Sequence, residues 1–150
     1  MNAPASREPP KDLIGFLDFY LVTKAPVRIP NGAREWIVKF GPWITVVLLI
    51  LTLPLLLAAL GVGAAVVPFG GAGYATGFGV LAIFVIVEVG LMVAALPGLF
   101  ARKMAGWRFL FYSQLVGIVH SVLSGSIVGG LLFGLIGLYI LFQVRGLYRE

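Results

Sequence analysis

Two strongly titratable side chains stand inside otherwise apolar runs: Glu88, within "AIFVIVEVGLMVAALPGLFARK", and the chain's single histidine, His120. A carboxylate and an imidazole side by side can hold a proton or a cation between them, and acids within membrane spans often mark ion paths. Ser121 or Ser124 beside His120 would also mimic a nucleophile with its base. That reading lacks support, because there is no Gly-x-Ser-x-Gly elbow and no acid except Glu88 to orient the imidazole. Metal centres take three or four His, Cys or carboxylate ligands, whereas the apolar region supplies one His, one Glu and no Cys. Lack of cysteine also removes disulfide and thiol chemistry. No Gly-Lys-Ser/Thr occurs, and Gly61-x-Gly63 runs on to Val66 where a dinucleotide fingerprint needs glycine. No catalytic residue, metal ligand set or cofactor site is expected, and the chain is not expected to be an enzyme.

The elements that must position Glu88 and His120 follow from composition. With 60% hydrophobic and 11% charged residues and a mean hydropathy of +1.04, the chain is far too apolar for a soluble domain of its size. The fold class expected is all-α: a polytopic membrane protein with four transmembrane helices, preceded by N-terminal interfacial amphipathic helices. A span needs roughly 20 apolar residues, and such runs lie at about 43–65 and 76–100. The apolar stretch from Phe109 to Phe142 is too long for one helix and is interrupted by "SVLSGSIVGG". It reads as two shorter helices, 107–124 and 126–144, joined at Ser124 to Ser126. These are preferably two thin spans, with a re-entrant hairpin as the alternative.

Depth brings the two titratable groups together. Counting back from Arg102, Glu88 lies about 21 Å into the second span, and counting on from Arg108, His120 lies about 18 Å into the third. In adjacent antiparallel helices they would share a level near the midplane. Ser113, Gly117, His120 and Ser124 recur along one face of the third helix, flanked by Gln114 and Ser121. A carboxylate facing hydrocarbon costs about 2.5–3.5 kcal/mol, so Glu88 should face this polar stripe. The expected site is thus Glu88, His120, Gln114, Ser113, Ser121 and Ser124. It serves either as a structural pin between helices two and three or as an ion site. A second pattern, Ser126, Gly130, Gly134 and Gly137 on the last helix, permits close helix packing, against the third span or against another copy.

Charge sets the orientation. All 11 Lys and Arg fall before the first span, between spans two and three (Arg102, Lys103, Arg108), or at the end (Arg145, Arg149). Both termini are therefore expected in the cytoplasm, with the net charge of +5 facing anionic lipid headgroups and no nucleic acid implied. Residues 1–10 read as a disordered tail, and no cleaved signal is expected in so polar a start. "KDLIGFLDFYLV" reads as an interfacial helix with Leu13, Phe16, Leu17 and Tyr20 on one face. A second surface helix starts with Asn31 as N-cap and carries Trp36, Ile37 and Phe40. The domain plan is a tail (1–10), a cytoplasmic and interfacial segment (11–41), a membrane domain (42–145) and a short cytoplasmic tail (146–150). The outer "PFGGAGYATGFG" reads as a flexible loop, and Pro54 and Pro97 as bends in their spans.

The segments "DFYLVTKAP", "LPGLFARKMAGWRFLFYSQLV" and "GLYILFQVRGLYRE" resemble a group of uncharacterised small bacterial four-helix integral membrane proteins, over most of residues 12–150. The resemblance implies a bacterial inner-membrane protein and carries no activity, cofactor or functional residue. The function expected is that of a non-enzymatic structural or accessory protein, self-associating or part of a larger membrane complex in the lipid bilayer. The alternative is a small proton- or cation-coupled transporter or channel unit built on the Glu/His pair.

Overall fold

The computed structural model describes residues 11–150, apart from the side chains of Thr52, Leu55 and Ala59. The expected disordered tail, 1–10, lies outside the described residues. Among the described residues there is no β-strand, only an isolated bridge between Lys103 and Arg149. Helix α1 spans Leu13–Asp18 and runs into a π-helical turn, Phe19–Thr23. Helix α2 spans Asn31–Phe100, α3 Met104–Leu123 and α4 Ile127–Val144, and a 3₁₀ turn, Arg145–Leu147, follows. Two of these, α2 and α4 with the turn after it, are long and apolar enough to cross a membrane.

Helix α2 is a hairpin. At Gly71 the backbone takes φ 73° and ψ 179°, outside helical geometry. Only glycine reaches this conformation without steric cost. The chain reverses there, and an outgoing arm (31–70) packs antiparallel to a returning arm (72–100). Trp43 meets Phe100 with ring centroids 5.2 Å apart near the open end, and Gly63 faces the Phe78 ring near the closed end. The expected loop over 66–75 is therefore helix on both sides of one reversed residue. The physical reason is that a one-residue reversal keeps the peptide groups on either side of it hydrogen-bonded within the helices.

The spans expected at 43–65 and 76–100 lengthen accordingly. The second surface helix does not exist as a separate element but forms the start of the outgoing arm. Pro30, with ψ 146°, holds the N-cap position expected for Asn31. The helix continues through Pro42 and also contains Pro54, Pro68 and Pro97. Thr45 Oγ1 donates to the Gly41 carbonyl at 2.9 Å, one turn back along the helix. Helices α3 and α4 fall within a few residues of the expected 107–124 and 126–144. They join through Ser124 to Ser126, where Gly125 has φ 84°.

The amphipathic face of α1 differs from the one read from spacing. Leu13, Phe16 and Tyr20 are exposed, while Ile14, Leu17, Leu21 and Val22 pack against the core. Polar anchors set this rotation. Asp18 binds Arg145 at 3.1 Å, Gln143 Nε2 donates to the Leu21 carbonyl at 2.9 Å, and the Tyr139 hydroxyl donates to the Val27 carbonyl. The π-helical turn changes the residue period in the same place, so a strict 3.6-residue pattern fails there.

The buried core lies at the end of the bundle where the basic segments gather. Trp107, Phe111, Phe142, Leu99 and Val38 are completely enclosed. The Trp107 indole donates to the Leu141 carbonyl at 2.8 Å and meets Phe142 edge-on at 5.2 Å. Gly98 and Gly106 press backbone to backbone, so no side chain fits at either. The C-terminal segment is tied to the same corner by Met104 N–H to Arg149 O at 2.6 Å and Arg149 N–H to Arg102 O at 2.8 Å.

Candidate functional site

Crossing at Gly98 and Gly106 fixes the register of the returning arm against α3. Measured from that crossing, Glu88 and Gly117 come level about 16 Å further along, and the two residues touch: a Cβ at Gly117 would stand 2.8 Å from Glu88 Oε1. The missing side chain at Gly117 makes the space that the carboxylate fills. On the same face of α3, His120 Nδ1 lies 3.7 Å from Glu88 Oε2. Both side chains are about three-tenths exposed, 31% for Glu88 and 27% for His120.

The six expected residues do not all converge. Ser113 is buried, and its hydroxyl donates at 3.3 Å to the backbone carbonyl of Glu88 rather than to its carboxylate. Gln114 Nε2 donates to the Gly134 carbonyl at 3.4 Å and so ties α3 to α4. Ser124 is exposed in the turn and donates back to the Ser121 carbonyl at 3.1 Å. Among the described residues no hydrogen bond joins the hydroxyl of Ser121 or Ser124 to the His120 ring, whose backbone carbonyl instead accepts from the Ser124 N–H at 2.9 Å, so no nucleophile and base are assembled. No group of three His, Cys, Asp or Glu that could hold a metal ion occurs among the described residues either.

Glycines of α4 complete the site. Gly130 sits against Ser121, Gly134 against Ile118 and Gly137 against the Gln114 amide. The small-residue face expected on the last helix is turned inwards, onto α3. Between the returning arm, α3 and α4 a polar cavity of about 260 Å³ opens to the outside, lined by Glu88, Gln114, Gly117, Ser121 and Gly130 among others. The arrangement can hold a proton or a small cation between a carboxylate, an imidazole and a carboxamide, and it joins three helices at one level.

Sequence reasoning missed the polar cluster at the basic end. Asp18, Arg34, Arg145 and Tyr148 line a second cavity, of about 340 Å³. Asp18 and Arg145 are far apart in the chain, and no local spacing announces their pairing. Arg145 also lies over the Trp107 ring, 5.3 Å from its centroid. Burial pushes the Tyr148 phenol above its ordinary value of 10.0, against an opposite pull from the Arg102 cation. Comparison of the chain with protein-family models, curated proteins and solved structures gave no match in any of the three.

Proposed function

We propose that the chain is a multi-pass protein of the bacterial inner membrane that crosses the bilayer four times, with both arms of α2, α3 and α4 as spans and both termini in the cytoplasm. It acts as a non-enzymatic structural or accessory protein, associating with itself or with a larger membrane complex. The observation that carries this reading is the Glu88–His120 pair seated on Gly117. The one acid of the apolar region is engaged within the protein, where it joins the returning arm to α3. Such a pair fixes register and does so most strongly where the alternative partner is lipid. The large apolar side chains that face outwards along α2 and α4, from Trp43 to Val93 and from Ile127 to Ile136, support the membrane setting. Gathering of the basic segments at one end supports the orientation.

Purification in mild detergent followed by mass measurement tests the association: an oligomer or a retained partner is expected, and a strict monomer without one overturns it. Topology is tested separately with Ala72→Cys and Met104→Cys, which should be labelled from opposite sides of the membrane. A second reading rests on the open polar cavity at Glu88. Here the pair and Gln114 form the ion site of a proton- or cation-coupled unit, which would assemble from several copies to enclose a path. Ion flux into reconstituted vesicles that is lost in Glu88→Gln supports this reading, and equal flux in both proteins removes it.

A further inference from the structure

The basic end holds a feature that the Glu88 site does not use. Arg34 has a buried Nε–H without a hydrogen-bond partner, and among the described residues its guanidinium makes no ion pair. It lines the cavity of about 340 Å³ together with Arg145, whose charge is shared with Asp18 at 3.1 Å. Two guanidinium groups against one carboxylate leave this cavity with a net positive charge. A buried donor without a partner is costly, and a planar guanidinium matches the oxygens of a phosphate.

Tyr148 forms a shared wall between this cavity and a second one of about 180 Å³. That one is apolar, and the outgoing arm lines it with Ile37, Gly41, Pro42 and Thr45. Arg34, Ile37, Gly41 and Thr45 follow one another at helical spacing, so one face of the outgoing arm runs from a cation to an apolar slot over about 16 Å. Gly41 contributes no side chain to that slot, and nothing lies within 4 Å of where its Cβ would stand. Opposite, Leu110, Ile140, Leu141 and Val144 supply apolar walls. The order along the face is that of an amphiphile: anionic head first, hydrocarbon second.

We propose that the basic end binds one anionic phospholipid, its phosphate between Arg34 and Arg145 and an acyl chain lying along Ile37, Gly41 and Thr45. The proposal rests on the reading of the chain as a membrane protein, since the lipid would be drawn from the leaflet at that end. The phosphate pairs with the Arg34 guanidinium, whose Nη2 lies 3.8 Å from where a Cβ of Gly146 would stand on the same cavity wall, and offsets the excess positive charge, while the chain fills an apolar slot that side chains leave open. An inorganic phosphate offers the same head chemistry but would leave the slot unfilled, which favours the lipid.

The test uses the full chain in detergent, titrated with phosphatidylglycerol, with phosphatidylcholine of the same acyl chains, and with inorganic phosphate, followed by native mass spectrometry and by the shift in thermal midpoint. Phosphatidylglycerol should bind about ten-fold or more tightly than phosphatidylcholine, because both offer the same phosphate but the choline cation of the second cancels the charge that the two guanidinium groups attract. Arg34→Gln should abolish that preference, whereas Arg28→Gln, at an exposed position outside both cavities, should keep it. Gly41→Leu, which fills the slot, should weaken binding of long-chain phosphatidylglycerol and leave a short-chain analogue unchanged. Equal binding of the two lipids, or identical behaviour of the Arg34 and Arg28 variants, overturns the proposal. So does a full effect from inorganic phosphate alone, which would identify a site for the free anion. Resistance of the protein to alkaline extraction from membranes reads insertion independently, so failure of lipid binding and failure of the membrane reading are separable.

Discussion

The basic end of the molecule and the far reach of the α2 hairpin are built from nearly the same residue types and behave as opposites. At the basic end Trp107, Phe111 and Phe142 are enclosed, and α1, α3, α4 and the C-terminal segment are bound together by hydrogen bonds and ion pairs. In the far reach, around Gly71, the two arms touch each other, as in the contact of Gly63 with Phe78, while Phe69 is 88% exposed. By its register α3 ends about alongside residue 82 of the returning arm, so the last two or three turns of each arm extend beyond the α3–α4 turn. Where chain ends, charges and loops meet, polar groups must be satisfied by the protein itself, and a packed core grows around them. Where backbone polar groups are already satisfied inside a helix, apolar side chains can face outwards in an apolar surrounding without a core.

The largest effect that distinguishes the two regions is truncation of their aromatic residues. Trp107→Ala should lower stability by about 3–5 kcal/mol, read as a drop in the detergent thermal midpoint, whereas Phe69→Ala should change it by less than about 0.5 kcal/mol. Similar losses from both would show that the far reach has a core of its own. Glycines give the next contrast. Gly106→Ala forces a methyl group into the Gly98 backbone and should cost about 1–3 kcal/mol, while Gly73→Ala, with open space around its Cβ, should gain about 0.5–1 kcal/mol through helix propensity.

Smaller effects come from the polar ties. Asp18→Asn breaks the pair with Arg145, whose side chains are about one-third exposed, and should cost under about 1 kcal/mol, a loss that shrinks as salt is added. No matching salt dependence is expected for substitutions in the far reach. The smallest effect is alkaline. The raised Tyr148 value means that the folded state favours the protonated phenol. That contribution is fully present below the ordinary value of 10.0 and is lost as pH rises through the raised value. Tyr148→Phe should therefore flatten the alkaline loss of thermal stability.

Periodicity and depth made the meeting of Glu88 with α3 legible in the sequence. A rise of fixed length per residue, counted from charged boundaries, brings Glu88 and His120 to one level, and they are 3.7 Å apart. The turn at Ser124 to Ser126 was legible for a similar reason, since small polar residues interrupt an apolar run there. The serines were not legible in the same way. Ser113 and Ser124 share the polar stripe with His120, yet both donate to backbone carbonyls, because a hydroxyl in an apolar setting takes the nearest acceptor. Composition also misread residues 66–75. Five glycines in "PFGGAGYATGFG" suggest a loop by propensity, but helix hydrogen bonding outweighs propensity there, and only Gly71 leaves the helix.

The sequence by itself determined the all-helical class, the turn between the last two helices, the clustering of basic residues outside the apolar runs, and the common level of Glu88 and His120. These follow from local hydrogen bonding, hydropathy and a fixed helical rise, which need no knowledge of distant partners. Only the tertiary structure decided that α2 folds back at a single glycine, that the Gly130, Gly134 and Gly137 face turns inwards, and that Asp18, Arg34, Arg145 and Tyr148 gather in one cavity. Those outcomes depend on which surfaces meet across long separations in the chain, and such meetings are selected by close packing and by the pairing of otherwise isolated polar groups, neither of which leaves a local spacing in the sequence.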